Sequence, residues 1–293
     1  MIVLSEASLE AERSSAAHDN INITEAARLM GCTVYYIPKD FSLCENAENA
    51  LWHIPQQPDE TPGIWIGFIP SPERYEAIYN EALRKRIRLV NTPEQHLTAQ
   101  EFDRAFPLLA GITPESLMLL NPDEYTEVSE QLGFPVFVRG SVRSRKAAGW
   151  KACVAYTEDE LRELVEQFFK LEYRSRGRVI VRRLVNLKHF RFSDEGFPLG
   201  REYRVFVYKE TILGYGYYWE GDDPLRNLSA DEEYQVLNLA VEAAGRLGVP
   251  FIAIDVGQMT NERWTVIEVN DAQFAGACQT PLLALWSTIR QIK

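Results

Sequence analysis

The segment Phe251–Asp271, FIAIDVGQMTNERWTVIEVND, concentrates side chains that could do chemistry. Asp255 is the single charge in an apolar run, and Glu268 and Asn270 stand two apart in a second such run. Alternation along a strand puts Glu268 and Asn270 on one face. A hairpin connection would set Asp255 opposite them. Two carboxylates and an amide oxygen are a hard-oxygen donor set, the kind Mg²⁺ uses together with phosphate oxygens. A single such carboxylate reads more simply as a strand-end cap for backbone amides. For three among apolar neighbours the expectation is metal binding, because a buried carboxylate without a partner is costly.

A second segment, VFVRGSVRSRKAAGWKACVA at 136–155, reads as a strand ending in Arg139, a loop from Gly140 to Gly149, and a second strand, Trp150–Ala155, that opens near Lys151. A glycine-edged loop carrying Arg143, Arg145 and Lys146 can close over a polyphosphate. Arg139 and Lys151, placed on adjacent strands, would reach it from below. The competing reading is a solvated basic loop. In a third segment Glu202 and Arg204 share one strand face, with Tyr203, Val205 and Val207 on the other. An arginine aimed from a sheet can stabilise a transferring phosphoryl group, or make a cross-strand ion pair on an exposed face. The four histidines show no zinc spacing, and no GxSxG nucleophile motif is present. The run Trp219–Asp223 reads either as a substrate loop or as an acidic turn.

The elements that must hold these residues divide the chain in two. Up to residue 114, short helices alternate with strands. Ile23–Met30 reads as a helix and Val34–Ile37 as a strand. Ile64–Ile69 is a strand, and a helix starts at Ser71-Pro72. Arg88–Val90 is a strand, and a further helix runs from Thr92-Pro93 to about Leu108. This order predicts a small α/β domain with a parallel sheet. From residue 115 the pattern becomes α+β with antiparallel hairpins. It holds an acidic helix over Asn121–Gly133, a helix behind Thr157, a strand Val179–Val185, a hairpin turning at Lys209-Glu210, a long helix Ser229–Leu247 and a last helix from about Pro281.

The 293 residues carry 31 basic and 42 acidic groups, a net charge of −11, with 46% apolar residues. That is ordinary soluble globular composition, and the length suits two domains. No apolar run approaches membrane-spanning length, and MIVLSEASLEAERSS lacks the features of a signal peptide. Cys32, Cys44, Cys153 and Cys278 are scattered without CxxC spacing, which points to a reducing, cytoplasmic setting. Residues 139–191 hold 14 basic against 6 acidic groups in an otherwise acidic chain. Duplex nucleic acid is disfavoured by the acidic remainder, and a small phosphorylated ligand fits better.

In this order the segments resemble the ATP-grasp superfamily over roughly residues 115–290, most specifically in Glu268-Val269-Asn270 with Asp255 before it. Residues 1–114 are similar in pattern to the α/β domain that precedes ATP-grasp modules. Arg139, where most members have Lys, followed by Lys146 and Lys151, resembles a subgroup named for one arginine and two lysines. The resemblance implies a nucleotide-clamping subdomain at 115–185 and a metal and catalytic subdomain at 186–293. It implies ATP and Mg²⁺ as cofactors, with the metal on Asp255, Glu268 and Asn270. Arg139, Lys146 and Lys151 would contact phosphates, and Glu202 would belong to the nucleotide site. Backbone groups of the hinge Arg182-Arg183-Leu184-Val185 would face adenine, and Arg204 would stabilise the γ-phosphate and an acyl phosphate. The implied reaction joins a small-molecule or peptide carboxylate to an amine, releasing ADP and phosphate. The alternatives are a phosphotransferase on the same scaffold and a non-catalytic nucleotide-binding protein. Two positions depart from the pattern. Ala253 stands where many family ligases have Arg, and the hinge reads Arg-Arg where an acidic residue is common. Specificity is expected from the first domain and from the loops Asn186–Arg201 and Trp219–Leu228.

Overall fold

A computed structural model describes residues 1–7 and 14–292; part of the opening stretch read above for a signal peptide lies outside them. The first sheet contains β1 (Ile2–Ser5), β2 (Thr33–Tyr36), β3 (Thr61–Ile66) and β4 (Ile87–Leu89). It is parallel throughout, in the order β2-β1-β3-β4. β1 was not expected. It is a four-residue run at the chain start with no turn signal before it, yet all four residues are buried between its neighbours. The helix expected over Ile23–Met30 begins earlier and spans Ser15–Leu29, capped by Ser14. Its alanine-rich first half carries almost no apolar periodicity. The helix Pro72–Arg84 starts as expected, with the Ser71 side chain accepting from the Arg74 amide. The helix from Pro93 stops at Gln100 instead of reaching Leu108. There the backbone turns extended at Glu101, whose buried carboxylate takes Arg104, Arg176 and Arg178.

The second sheet contains β5 (Ser116–Leu119), β6 (Val136–Gly140), β7 (Val154–Ala155) and β8 (Val179–Arg183), antiparallel in the order β5-β8-β6-β7. The helix Glu158–Phe169 buries Leu161, Leu164, Val165 and Phe168 against Val136, Val138, Val179 and Val181. The strand expected at Trp150–Ala155 is shorter. Residues Trp150–Ala152 form a 3₁₀ turn, and only Val154 and Ala155 pair with β6. The acidic helix expected over Asn121–Gly133 is a 3₁₀ segment, Pro122–Glu127, followed by one helical turn, Val128–Gln131.

The stretch Asn186–Arg201 holds a small hairpin of β9 (His189–Phe192) and β10 (Pro198–Gly200). Then come β11 (Glu202–Tyr208), β12 (Thr211–Tyr217), β13 (Phe251–Gln258) and β14 (Trp264–Asp271), antiparallel in the order β12-β11-β13-β14. The turn at Lys209-Glu210 is as expected, with positive φ at both residues. The helix Ala230–Leu247 has the capping box of Ser229 and Glu232 and covers one face of this sheet. The other face shares a core with the first sheet, where Val3, Ile64 and Ile66 pack with Phe206, Phe251, Leu285 and Trp286. β13, buried at all eight residues, is therefore gripped from both sides. No helix among the described residues is long and apolar enough to cross a membrane.

Candidate active site

The register of the last sheet builds the centre of the site. Arg204 on β11 lies opposite Asp255 on β13, and Asp255 lies opposite Glu268 on β14. Three charged residues thus form one row across three strands, flanked by Asn270, which pairs with Ala253. Arg204 donates through Nε and Nη2 to the two Asp255 oxygens, both at 2.7 Å, and through Nη1 to the Gly276 carbonyl at 2.9 Å. Burial alone would lower the arginine's pKa, but the Asp255 charge outweighs it and holds the guanidinium well above its ordinary value. Of the two sequence readings for Arg204, the ion pair is present, and it is buried rather than exposed.

The second sheet meets this row through two buried arginines. Arg139 Nη2 lies 2.8 Å from Glu268 Oε1. Burial pushes the Glu268 carboxyl up, but Arg139, Lys146 and Arg204 together outweigh it and bring its pKa to about 2. Arg182 donates to the Ile267 carbonyl at 2.7 Å and to Thr113 Oγ1 at 3.1 Å. Arg139 and Arg182 both lie over the Phe102 ring, at 4.7 and 4.9 Å from its centroid. Burial and then the Arg139 charge lower Arg182 to about 9. Glu202, 2% exposed, accepts from Trp219 Nε1 through Oε1, while its buried Oε2 has no hydrogen bond and faces Lys146 Nζ at 4.0 Å. Burial raises its pKa.

Two cavities open on either side of Lys146 and Glu268. One, of about 310 Å³, is mostly apolar and runs along the hinge past Arg183, Leu184, Val185, Phe197 and Ile267, with Arg139, Lys146, Arg182, Glu202 and Glu268 at its inner end. The other, of about 430 Å³, is walled by Arg143, Lys146, Arg174, Arg204, Glu268 and Asn270. Asp255 lies beneath the second, 1% exposed. Lys151 is the predicted site residue that the structure leaves out. It is exposed on the 3₁₀ turn and lines neither cavity. The strand that would have carried it inward cannot form there. Gly149 has φ +89, and Trp150 is tied to Tyr156 and packs on Phe197. Sequence reading missed Arg174, Phe102 and Phe197, which come from outside the motif segments. A lone arginine in a basic stretch gives no signal of its own.

A family model for an ATP-grasp domain, family 3 of the clade of one arginine and two lysines, matches residues 130–289. The chain belongs to this ATP-grasp family. Solved ATP-grasp structures share the fold well beyond the matched region. D-alanine–D-alanine ligase from Bacillus anthracis, complexed with ATP, superposes with a TM-score of 0.62 at 13% identity, over 92% of this chain and 85% of the other. An ATP-grasp RimK domain protein from Sphaerobacter thermophilus gives 0.60 at 13% identity, over 98% and 97%. The ATP-grasp ligase PsnB, complexed with minimal precursor, Mg and ADP, gives 0.58 at 15% identity, over 99% and 97%. No curated protein matches the chain in sequence. At these identities the likeness speaks for the fold. In this ATP-grasp chain the three-strand row and the two cavities sit where the second and third sheets face each other.

Proposed function

We propose that this chain is an ATP- and Mg²⁺-dependent ligase that joins a carboxylate to an amine through an acyl phosphate. The observation that carries the reading is the pair of cavities meeting at Lys146 and Glu268. An apolar slot beside a hinge suits a nucleotide base, and a polar chamber at its inner end suits phosphates and an acceptor. On this reading residues 1–114 form the α/β unit preceding an ATP-grasp unit at 115–293, and the protein works in the cytoplasm.

The donor set fits a magnesium ion. Among the described residues no three carboxylate, histidine or cysteine side chains form a ready metal group, so Asn270 is needed beside Glu268 and Asp255. Mg²⁺ accepts that combination, since it takes few carboxylates and completes its shell with phosphate oxygens and water. The unpartnered, buried Oε2 of Glu202 also favours a cation nearby. When bound, the metal would neutralise charge on the transferring phosphoryl group.

The protein's own groups then position and neutralise. Hinge backbone at 182–185 meets the adenine, and Arg139 and Lys146 reach the phosphates. The donor carboxylate oxygen bonds to the γ-phosphorus as the bond to ADP breaks. The amine then bonds to the acyl carbon as phosphate leaves, and the amine loses its proton. A carboxylate is a poor electrophile, and phosphorylation supplies the leaving group. The protein contributes orientation and a water-poor chamber rather than covalent catalysis. Arg204 keeps all three guanidinium nitrogens engaged, so its part is to hold Asp255 and the Gly276 backbone in place until ligands bind.

The test is ATP turnover with Mg²⁺ against a panel of carboxylates and amines, with the nucleotide product identified. ADP and phosphate formed only with a carboxylate–amine pair supports the reading. AMP and pyrophosphate would contradict it. Phosphate retained on the acceptor would make the protein a phosphotransferase, and tight ATP binding without turnover a nucleotide-binding protein.

A further inference from the structure

Arg143 and Arg174 face the second cavity together, and the backbone forces them there. The Arg174 carbonyl accepts the amides of Val142 at 2.9 Å and Arg143 at 3.2 Å. The Arg174 guanidinium is fixed in turn by the Ser144 carbonyl and the Tyr173 hydroxyl. Gly140 makes the approach possible, because a Cβ there would stand 2.3 Å from the Arg174 oxygen. Two like charges are thus clamped side by side. Partial burial and then the Arg174 charge lower the Arg143 pKa, so the pair is held against its own repulsion.

The other charges on this cavity are spoken for. Arg204 is satisfied by Asp255, Glu268 is held by Arg139, and Lys146 faces Glu202. Glu195 also lines the cavity but is exposed. Neither Arg143 nor Arg174 forms an ion pair among the described residues. Both line the second cavity and neither lines the hinge slot, so they stand on the acceptor side of Lys146 rather than the nucleotide side.

We infer that the carboxylate donor carries a second anionic group, which Arg143 and Arg174 bind while the reacting carboxylate lies toward Glu268 and Lys146. The inference rests on the ligase reading and narrows its substrate class to dicarboxylates or phosphorylated carboxylates. Guanidinium forks recognise both anions in the same way.

The test reads binding directly, so it does not depend on turnover. The full chain, with Mg²⁺ and a non-hydrolysable ATP analogue, is titrated with glutarate, 3-phosphonopropionate and butyrate. At least one of the two dianions is expected to bind about tenfold or more tightly than butyrate, the scale of one charge-assisted hydrogen bond. Which of them binds more tightly tells dicarboxylate from phosphorylated donors. Arg143→Gln, on an exposed side chain, should abolish the preference while ATP affinity stays within about twofold. Arg174→Lys should keep part of it. Equal binding of butyrate and both dianions, or no binding of any, overturns the inference. So does an Arg143→Gln variant that weakens ATP in place of the dianion. Failure of the ligase reading shows separately, as absence of ADP with every carboxylate–amine pair.

Discussion

The last sheet and the second sheet supply opposite walls of the site, and they are built in opposite ways. In the last sheet, long paired strands place Arg204, Asp255 and Glu268 by register, under buried apolar neighbours on both faces. In the second, the working cations stand on a two-residue strand, a loop and a one-turn helix. Their positions are set by backbone contacts such as those of the Arg174 carbonyl. Side-chain alternation specifies the first wall, and loop geometry specifies the second. The first should therefore fail by losing stability and the second by losing affinity.

The largest expected effect tests the sheet wall. Arg204→Met leaves Asp255 buried and unpaired, and a buried pair broken on one side costs about 3–5 kcal/mol. Chemical denaturation should show a loss of that order together with loss of turnover. The double variant Arg204→Met, Asp255→Leu should recover much of the stability but none of the turnover. A double variant as unstable as the single one would mean that the row is held by packing rather than charge.

Next in size is Gly140→Ala. The added Cβ collides with backbone, not with a flexible side chain, so the cost is an overpacking one of about 1–3 kcal/mol. The comparison predicts that the damage stays local. Affinity for anionic ligands in the second cavity should fall, while exchange protection of the amides of β13 stays at its wild-type level.

These two variants also mark how far the sequence could be read. Asp255, Glu268 and Asn270 announced themselves because a charge in an apolar strand has few explanations, and because alternation fixes which residues share a face. The hairpin at Lys209-Glu210 and the caps at Ser71 and Ser229 were legible for similar local reasons. β1 was not, since its strand character comes from neighbours more than twenty residues away. The length of the helix from Pro93 was not, since it ends where Glu101 meets Arg176 and Arg178 of a distant segment. Arg174 was invisible for the same cause. Its role comes from a carbonyl bonded to residues some thirty positions earlier, and no spacing rule reaches that far.

A smaller effect appears with pH. The Glu268 carboxyl is lowered from 4.5 to about 2 because Arg139, Lys146 and Arg204 outweigh its burial. Its contribution to stability is thus fully present above pH 4.5 and is lost as pH falls toward 2. The stability gap between wild type and Glu268→Gln should be constant from pH 7 to 5 and shrink below that, read from urea midpoints. A gap that widens in acid would mean that the cations do not stabilise the ionised form.

The smallest effect expected belongs to Lys151, and it bears most directly on the flexible wall. Lys146 lies between Glu202 and the rings of Tyr218 and Trp219, at 5.6 and 5.9 Å from their centroids, and it lines both cavities. Lys151, five residues on, is exposed and lines neither. Lys146→Ala should raise the KM for ATP about tenfold or more, the scale of one lost charge-assisted contact. Lys151→Ala should change it by less than about twofold, as exposed charges usually do. Equal effects would carry a specific meaning. The 3₁₀ turn at Trp150–Ala152 would then have to unwind and extend β7 when nucleotide binds, carrying Lys151 inward. That is a movement a wall made of short turns could undergo, and one that a wall made of eight-residue paired strands could not.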